Sequence, residues 1–136
     1  ATAVVVHLMD DPVYSKPYSL YLSCNEGEQG GSIYQRVVAT PGLKFDGKYV
    51  SAQCWIKKIS GDDPVTLSLG DFVEEKITHT IQNVNISSEY GKQVITRLVR
   101  QPLSINQVIF AVGIEPANSI SLDDIFIIQG YLPMGW

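Results

Sequence analysis

The sequence lacks the features that would place it in several large classes of protein. Its two cysteines, Cys24 and Cys54, are too few for a disulfide scaffold, although one bridge and two free thiols both remain compatible with the sequence. No apolar run approaches the roughly 20 residues of a transmembrane helix. The 10 basic residues are outnumbered by 14 acidic ones and are scattered along the chain. We therefore expect neither nucleic acid nor a membrane as a partner, because both need a concentrated basic surface.

Catalytic motifs are missing as well. His7 and His79 have no second histidine or cysteine at zinc-ligand spacing. There is no Gly-x-Ser-x-Gly elbow and no phosphate-binding glycine loop. Glu74–Glu75 and Asp123–Asp124 are adjacent pairs, and consecutive residues of a strand point to opposite faces, whereas a glycosidase needs two carboxylates that face each other. Carboxylates distant in sequence could still converge, but no motif supports an active site, and we predict that the protein is not an enzyme.

What the sequence does contain is a series of short alternating segments separated by turn residues such as Asp46-Gly47. The candidate strands are Ala3–Leu8, Ser19–Ser23, Ser32–Val38, Lys48–Lys57, Val65–Leu69, Thr78–Val84, Lys92–Val99, Asn106–Ile114 and Ser121–Gln129. Helical periodicity, internal repeats and low-complexity linkers are absent from the sequence. The pattern predicts an all-β protein, an antiparallel β-sandwich of the jelly-roll type, formed by a single domain over residues 1–136.

The segment Lys48–Lys57 offers the clearest candidate binding surface. Alternation places one apolar set on the core face, namely Val50, Ala52, Cys54 and Ile56. The opposite face carries Tyr49, Ser51, Gln53, Trp55 and Lys57. Aromatic rings beside an amide and an amine, about 7 Å apart along the strand, suit a sugar ring that stacks on the aromatic while its hydroxyls form hydrogen bonds. The alternative is that Trp55 is covered by a loop or a second layer, or packs across strands.

Neighbouring strands offer further ligand-binding candidates. Tyr34 shares a predicted face with Ser32 and Arg36. Arg97 or Arg100 could bind hydroxyls or the carboxylate of an acidic sugar, although a solvated charge on a strand is the more common role. In Asn106–Ile114 the other face is formed by Gln107, Ile109, Ala111 and Gly113, and its small residues would leave room for a ligand or another layer. We predict a ligand site formed by Trp55, Tyr49, Gln53, Tyr34 and Arg97.

Three segments together resemble a known group of domains. They are SLYLSCNEGEQGGSIYQRV, GLKFDGKYVSAQCWIKK and VIFAVGIEPANSISLDDIFI. In that order they resemble the galactose-binding-like jelly-roll carbohydrate-binding modules of the xylan- and glucan-binding type. The ending Ile128-Gln129-Gly130-Tyr131 is similar to C-terminal domains of phage tail fibres and tailspikes. The resemblance implies carbohydrate as the partner and an extracellular or virion-surface location, although this sandwich also serves purely structural roles.

The resemblance also implies a structural calcium ion. The matching position is Asp123, which alternation places on one face with Ile125 and Ile127, toward the core. Asp10 or Asp11 could complete such a Ca²⁺ site, but the family's N-terminal Asn/Phe/Glu pattern is missing. The alternative is a carboxylate that accepts hydrogen bonds from backbone N–H groups in a turn.

Two functions follow from these observations. The first is non-catalytic carbohydrate binding through the aromatic-bearing sheet face. The second is a structural or assembly role at the end of a phage tail protein, as a homotrimer. In that case Ile95, Ile109 and the apolar segment Tyr131–Trp136 would be exposed on one chain and buried between subunits.

Overall fold

The protein is an antiparallel β-sandwich in a computed structural model that describes residues 4–9, 19–38, 45–73, 76–100 and 105–130. Within these ranges the chain forms nine strands, which correspond in order to the nine predicted from the sequence. They are β1 (Val4–Met9), β2 (Ser19–Cys24), β3 (Gly31–Val38), β4 (Tyr49–Ser60), β5 (Val65–Val73), β6 (Lys76–Val84), β7 (Gly91–Leu98), β8 (Ile105–Ile114) and β9 (Asn118–Gln129).

The strands are divided between two sheets. The five-stranded sheet has the order β1-β2-β9-β4-β7, and the four-stranded sheet has the order β3-β8-β5-β6. Every pair of neighbouring strands is antiparallel. The all-β sandwich predicted from the sequence is therefore confirmed. None of the described residues forms a helix long and apolar enough to cross a membrane.

The core lies between the two sheets and follows the predicted alternation. Inward side chains of β4 are completely buried, as are those at the centre of β5. They are Val50, Ala52, Cys54, Ile56, Val65, Leu67 and Leu69. Burying each larger apolar side chain contributes about 1.5–3 kcal/mol. Ile95 and Ile109, which the assembly hypothesis expected at the surface, are buried as well, and the segment Tyr131–Trp136 lies outside the described residues.

The two cysteines are both free and buried. Cys24 on β2 lies opposite Asn118 of β9, whereas Cys54 on β4 lies beside the stretch of β9 between Asp123 and Phe126. Five or more residues of β9 separate the two positions, about 17 Å at 3.4 Å per residue, which is too far for a disulfide. Burial raises the pKa of the Cys54 thiol to about 12, so this cysteine is an unreactive core residue.

A buried ion pair joins the two sheets at one end. Arg97 of β7 points inward and binds Asp71 of β5 through Nε and Nη2, at 3.1 and 3.2 Å. Its Nη1 donates to the Thr80 hydroxyl at 3.1 Å. Arg100 donates to the same carboxylate from its backbone N at 2.8 Å and from Nε at 2.6 Å. Burial by itself would raise the pKa of Asp71, but the hydrogen bonds from Arg97 and Arg100 outweigh it and hold the pKa below its usual range.

Candidate functional site

The sandwich has two outward faces, and the predicted site residues do not share one of them. We call the outer face of the five-stranded sheet the Trp55 face, because Tyr49, Gln53 and Trp55 lie on it. Tyr34 lies on the outer face of the four-stranded sheet, which we call the Tyr34 face. Arg97 lies on neither, because its guanidinium is bound to Asp71 between the sheets. The prediction of one site formed by all five residues is therefore wrong as a grouping.

The polar side chains Ser51 and Gln53 of the Trp55 face are buried. Gln53 is only 7% exposed, and Ser51 is fully buried. The Ser51 hydroxyl donates to the Gly130 carbonyl at 2.7 Å and lies 2.8 Å from the Thr96 hydroxyl. Trp55 is half-buried between Lys92 of β7 and Asp123 of β9, its neighbours in the strand register. A sugar arriving here would find few exposed hydrogen-bonding groups around Gln53.

The residues that this face does expose are mostly apolar. Tyr49 is 49% exposed and Leu98, directly opposite on β7, is 54% exposed. Phe126 and Ile128 of β9 lie opposite Gln53 and Ser51, and each is more than one third exposed. The register makes these four side chains neighbours. We call them the apolar patch: Tyr49, Leu98, Phe126 and Ile128.

A β-bulge changes the expected direction of Asp123. Gln53 pairs with Phe126 and Trp55 pairs with Asp123, so two residues advance on β4 while three advance on β9. Asp124 has a positive φ of 49°, the left-handed conformation found in many bulges. The extra residue shifts the alternation, so Asp123 shares the outer face with Trp55 and not the core face with Ile125. The prediction that Asp123 points toward the core is wrong for this reason.

No group of acidic ligands for a calcium ion surrounds Asp123 among the described residues. Its Oδ1 accepts a hydrogen bond from the backbone N of Asp124 at 2.8 Å, which matches the alternative interpretation of this carboxylate. In the part of the chain that the structure describes, no three His, Cys, Asp or Glu side chains are grouped as metal ligands. Asp10 and Asp11 lie outside that part, so a site that includes either of them stays a prediction.

The Tyr34 face contains a trough with a floor of small residues. Strands β8 and β5 form its middle, and their outward residues Ala111 and Ser68 lie opposite each other. Tyr34 on β3 stands on one side of this row and Ile81 on β6 on the other, at 60% and 61% exposure. Large side chains at the edges and small ones at the centre leave an open channel, about 14 Å across for four strands. We call this channel the trough.

One end of the trough is open and polar. The next row along the sheet contains Ser32, Gly113, Thr66 and Asn83. A cavity of about 250 Å³ lies here; its lining is Gln29, Gly30, Gly31, Ser32, Thr66, Gly113, Ile114 and Glu115. A Cβ atom added at Gly113 would make only ordinary van der Waals contacts, the nearest at 3.6 Å from the Gly31 carbonyl oxygen, so the floor at this point could accept a small side chain without a clash. Hydroxyl, amide and carboxylate groups at this end can hydrogen-bond a polar ligand.

The other end of the trough is closed by His79. Its ring lies over Gly70, where an added Cβ would be 2.7 Å from the His79 Nδ1 atom. Glycine at position 70 therefore makes room for the imidazole. The Nδ1 atom is buried and has no hydrogen-bond partner in the described part of the chain. Ile109, the neighbour of Gly70 on β8, is buried although it faces outward, which shows that this end is filled by side chains.

A separate apolar cavity of about 260 Å³ lies beside Tyr34, between the two sheets. Its lining is Leu20, Ile33, Tyr34, Gln35, Phe110, Val112 and Ile125. Gln35 supplies the only side-chain amide among these residues. The cavity therefore offers much less hydrogen bonding than the polar end of the trough.

Only part of the trough could be predicted from the sequence. The outward small residues Ala111 and Gly113 signalled free space on β8. Ser68 and Ile81 carried no such signal, because their positions beside Tyr34 depend on pairing among strands that are distant in sequence. The alternation of β3 placed Tyr34 correctly on an outward face but could not say which sheet β3 joins.

No family model matches this sequence, and no curated protein matches it either. Solved structures do match in fold. The enzymatically active domain of tailspike protein 4 from bacteriophage CBA120 is 12% identical with a TM-score of 0.73, over 93% of this chain and 18% of that chain. This chain therefore spans less than one fifth of the tailspike chain that it matches.

Two carbohydrate-binding modules are similar over nearly their whole length. The CBM22-1 xylan-binding domain of Xyn10C from Paenibacillus barcinonensis is 10% identical with a TM-score of 0.69, over 98% of this chain and 86% of that chain. TmCBM61, solved in complex with β-1,4-galactotriose, is 10% identical with a TM-score of 0.64, over 95% of this chain and 87% of that chain. The fold implied by the sequence resemblance, the jelly roll shared by carbohydrate-binding modules and a phage tailspike domain, is thus confirmed.

Proposed function

We propose that this protein is a non-catalytic carbohydrate-binding domain and that the trough on the Tyr34 face is its binding site. The observation that carries the proposal is the exposed ring of Tyr34 beside a floor of Ala111 and Ser68, with a polar cavity at one end. The C–H face of a sugar packs on an aromatic ring, and its hydroxyls need hydrogen-bonding groups nearby. The trough provides both within one surface.

The chemistry of the trough fits binding without catalysis. The outward positions of β3, β5, β6 and β8 carry no Asp or Glu among the described residues, and Glu115 lies at the polar end. Hydrolysis of a glycosidic bond needs two carboxyl groups on either side of the bond. An open trough with one aromatic wall is expected to bind sugars in the micromolar to millimolar range, about −4 to −8 kcal/mol.

The comparisons support carbohydrate as the ligand class but do not choose the sugar. The similar domains include one described as xylan-binding and one solved with a galactotriose. At identities near 10% they carry no residue assignment to this chain. The choice of the trough rests on the geometry of this chain alone.

A glycan array followed by calorimetry tests the proposal. Wild type should bind at least one glycan, and Tyr34→Ala should bind it at least about tenfold more weakly, since stacking contributes about 0.5–1.5 kcal/mol beyond area burial. Tyr49→Ala is the matched control, because Tyr49 is a tyrosine of similar exposure on the Trp55 face. Equal binding by wild type and Tyr34→Ala, or a loss in Tyr49→Ala alone, would refute the trough as the site.

A second function is favoured by the apolar patch. We propose that Tyr49, Leu98, Phe126 and Ile128 pack against a second copy of this chain, as in an assembly domain. Contiguous apolar side chains at the surface of a soluble domain commonly mark protein contacts. This role is compatible with sugar binding, because the patch and the trough lie on opposite sheets. The homotrimer predicted from the sequence stays a prediction.

Light scattering of the chain over a range of concentrations tests the assembly role. Self-association that strengthens with protein concentration is the expected result. A monomer at all concentrations would contradict the proposal for this chain. Neither outcome would affect the proposal of sugar binding, since the trough does not include the apolar patch.

A further inference from the structure

We infer that the trough selects acidic glycans and that Arg36 binds their carboxylate. This inference rests on the proposed function and specifies the class of sugar. Arg36 lies on β3, two residues after Tyr34, and faces outward on the same side of the sheet. Its guanidinium carbon lies 5.6 Å from the centroid of the Tyr34 ring. A sugar in contact with Tyr34 is therefore within reach of this cation.

Arg36 differs from the other arginines in having its donors available. Arg97 and Arg100 both donate to the Asp71 carboxylate, and Arg97 also donates to Thr80. Arg36 is exposed, and within the described residues it forms no hydrogen bond or ion pair. A guanidinium holds five N–H donors in a planar fork that matches the two oxygens of a carboxylate. The Tyr34 ring limits the directions that this fork can take, which favours a defined geometry of binding.

The surroundings of Arg36 also favour an anion. The protein has a net charge of −4, yet the outward positions of the four strands around the trough contain no acidic residue among the described ones. On the row of Arg36 the other outward residues are Ile109, Gly70 and His79. The carboxylate of a ligand that packs on Tyr34 therefore meets the Arg36 cation beside the closed end of the trough, without a competing carboxylate among the described residues. Neutral sugars would gain only single hydrogen bonds from the same side chain, because a hydroxyl does not match the fork.

Matched glycan pairs test this inference. The probes are trimers of galacturonate, glucuronate and mannuronate, each paired with its carboxyl-reduced form, in which the acid is replaced by a primary alcohol. Calorimetry should show at least one acidic trimer bound about tenfold more tightly than its reduced form, and the difference should shrink as salt is raised. Arg36→Gln should remove this preference mainly by weakening the acidic trimer, because the reduced form gains only single hydrogen bonds from this side chain.

Two variants serve as controls. Lys48→Gln removes an exposed cation in the turn before β4, away from the trough, and should keep the full preference for the acid. Arg36→Lys keeps the charge but not the fork, so it should retain only part of the preference. A full preference in Arg36→Gln would overturn the assignment of Arg36.

The outcomes distinguish this inference from the proposed function. If reduced trimers or other neutral glycans bind as tightly as the acidic ones and Tyr34→Ala weakens them, the acidic selectivity is wrong while the trough stands. If neither the trimers nor any glycan of the array binds, the proposed function fails and this inference fails with it.

Discussion

The two outward faces of this sandwich are built from the same kind of alternating strands but offer opposite surfaces. On the Trp55 face the polar side chains Ser51 and Gln53 are buried, and Tyr49 and Leu98 remain exposed. On the Tyr34 face the centre is formed by Ala111 and Ser68, and an exposed aromatic stands beside it. The exposed side chains of the first face are mostly apolar, whereas the second face contains a trough with a polar end.

The difference shows that an aromatic in an outward position is not sufficient to identify a sugar site. Trp55 has the sequence pattern of a sugar platform, yet it is half-buried and its amide neighbour Gln53 is covered. The sequence around Tyr34 lacks the aromatic, amide and amine series found around Trp55, but Tyr34 lies beside open space. Space beside the ring depends on the side chains of adjacent strands, so the trough is a property of the sheet and not of one strand.

The largest expected effect comes from the ion pair that holds the two faces together. Asp71→Asn would leave the buried Arg97 without its counter-charge, which should lower the free energy of unfolding by about 3–5 kcal/mol. Chemical denaturation measures this loss. Asp62→Asn, in an exposed turn, should change stability by less than about 0.5 kcal/mol. Equal denaturation midpoints for Asp71→Asn and Asp62→Asn would show that the ion pair between Arg97 and Asp71 does not stabilise the contact between the sheets.

The same carboxylate makes stability depend on pH. Because the pKa of Asp71 is lower in the folded protein than its usual value, its contribution is fully present above about pH 4, near the unfolded pKa. It is lost as the pH falls below that value toward the folded pKa. Wild type should therefore lose more stability than Asp71→Asn on acidification below about pH 4. Parallel curves for the two proteins would contradict this assignment.

A smaller effect is expected from a charge placed in the apolar patch. Leu98→Glu would bring a carboxylate into the proposed contact between copies and should weaken self-association by about 2–3 kcal/mol. Analytical ultracentrifugation measures the change. The glycan affinity of this variant should equal that of wild type, because Leu98 is on the other sheet. Weakened sugar binding in Leu98→Glu would break the separation of the two faces.

The smallest effect is expected from filling the trough. Ser68→Leu places a larger side chain between Ala111 and Ile81 and should weaken glycan binding by about 1.4 kcal/mol, or tenfold. The free energy of unfolding should change by less than about 0.5 kcal/mol, because the position faces outward. Self-association should be as in wild type. Unchanged glycan binding with a folded variant would mean that the ligand does not occupy the floor of the trough.

The sequence was sufficient for the strands and for most of the core. Alternation in β4 identified its buried face because that signal is local to one strand. The sequence was insufficient wherever the position or direction of a side chain depends on a second strand. The bulge at Asp124 reversed the direction of Asp123, and the pairing of β7 with β4 placed Arg97 opposite Val50 on the inward face, where it binds Asp71. Pairing of β3 with β8 separated Tyr34 from Trp55, although both point outward.

The most direct test of this comparison is a titration of the isotopically labelled protein with a bound oligosaccharide, followed by amide chemical shifts. We expect the largest changes along the trough, at Ser32, Tyr34, Ser68, Ile81 and Ala111. Amides of the apolar patch, on β4, β7 and β9, should not move at the same sugar concentration. Shifts centred on Tyr49 and Trp55, with the trough unchanged, would contradict the location of the sugar site on the Tyr34 face.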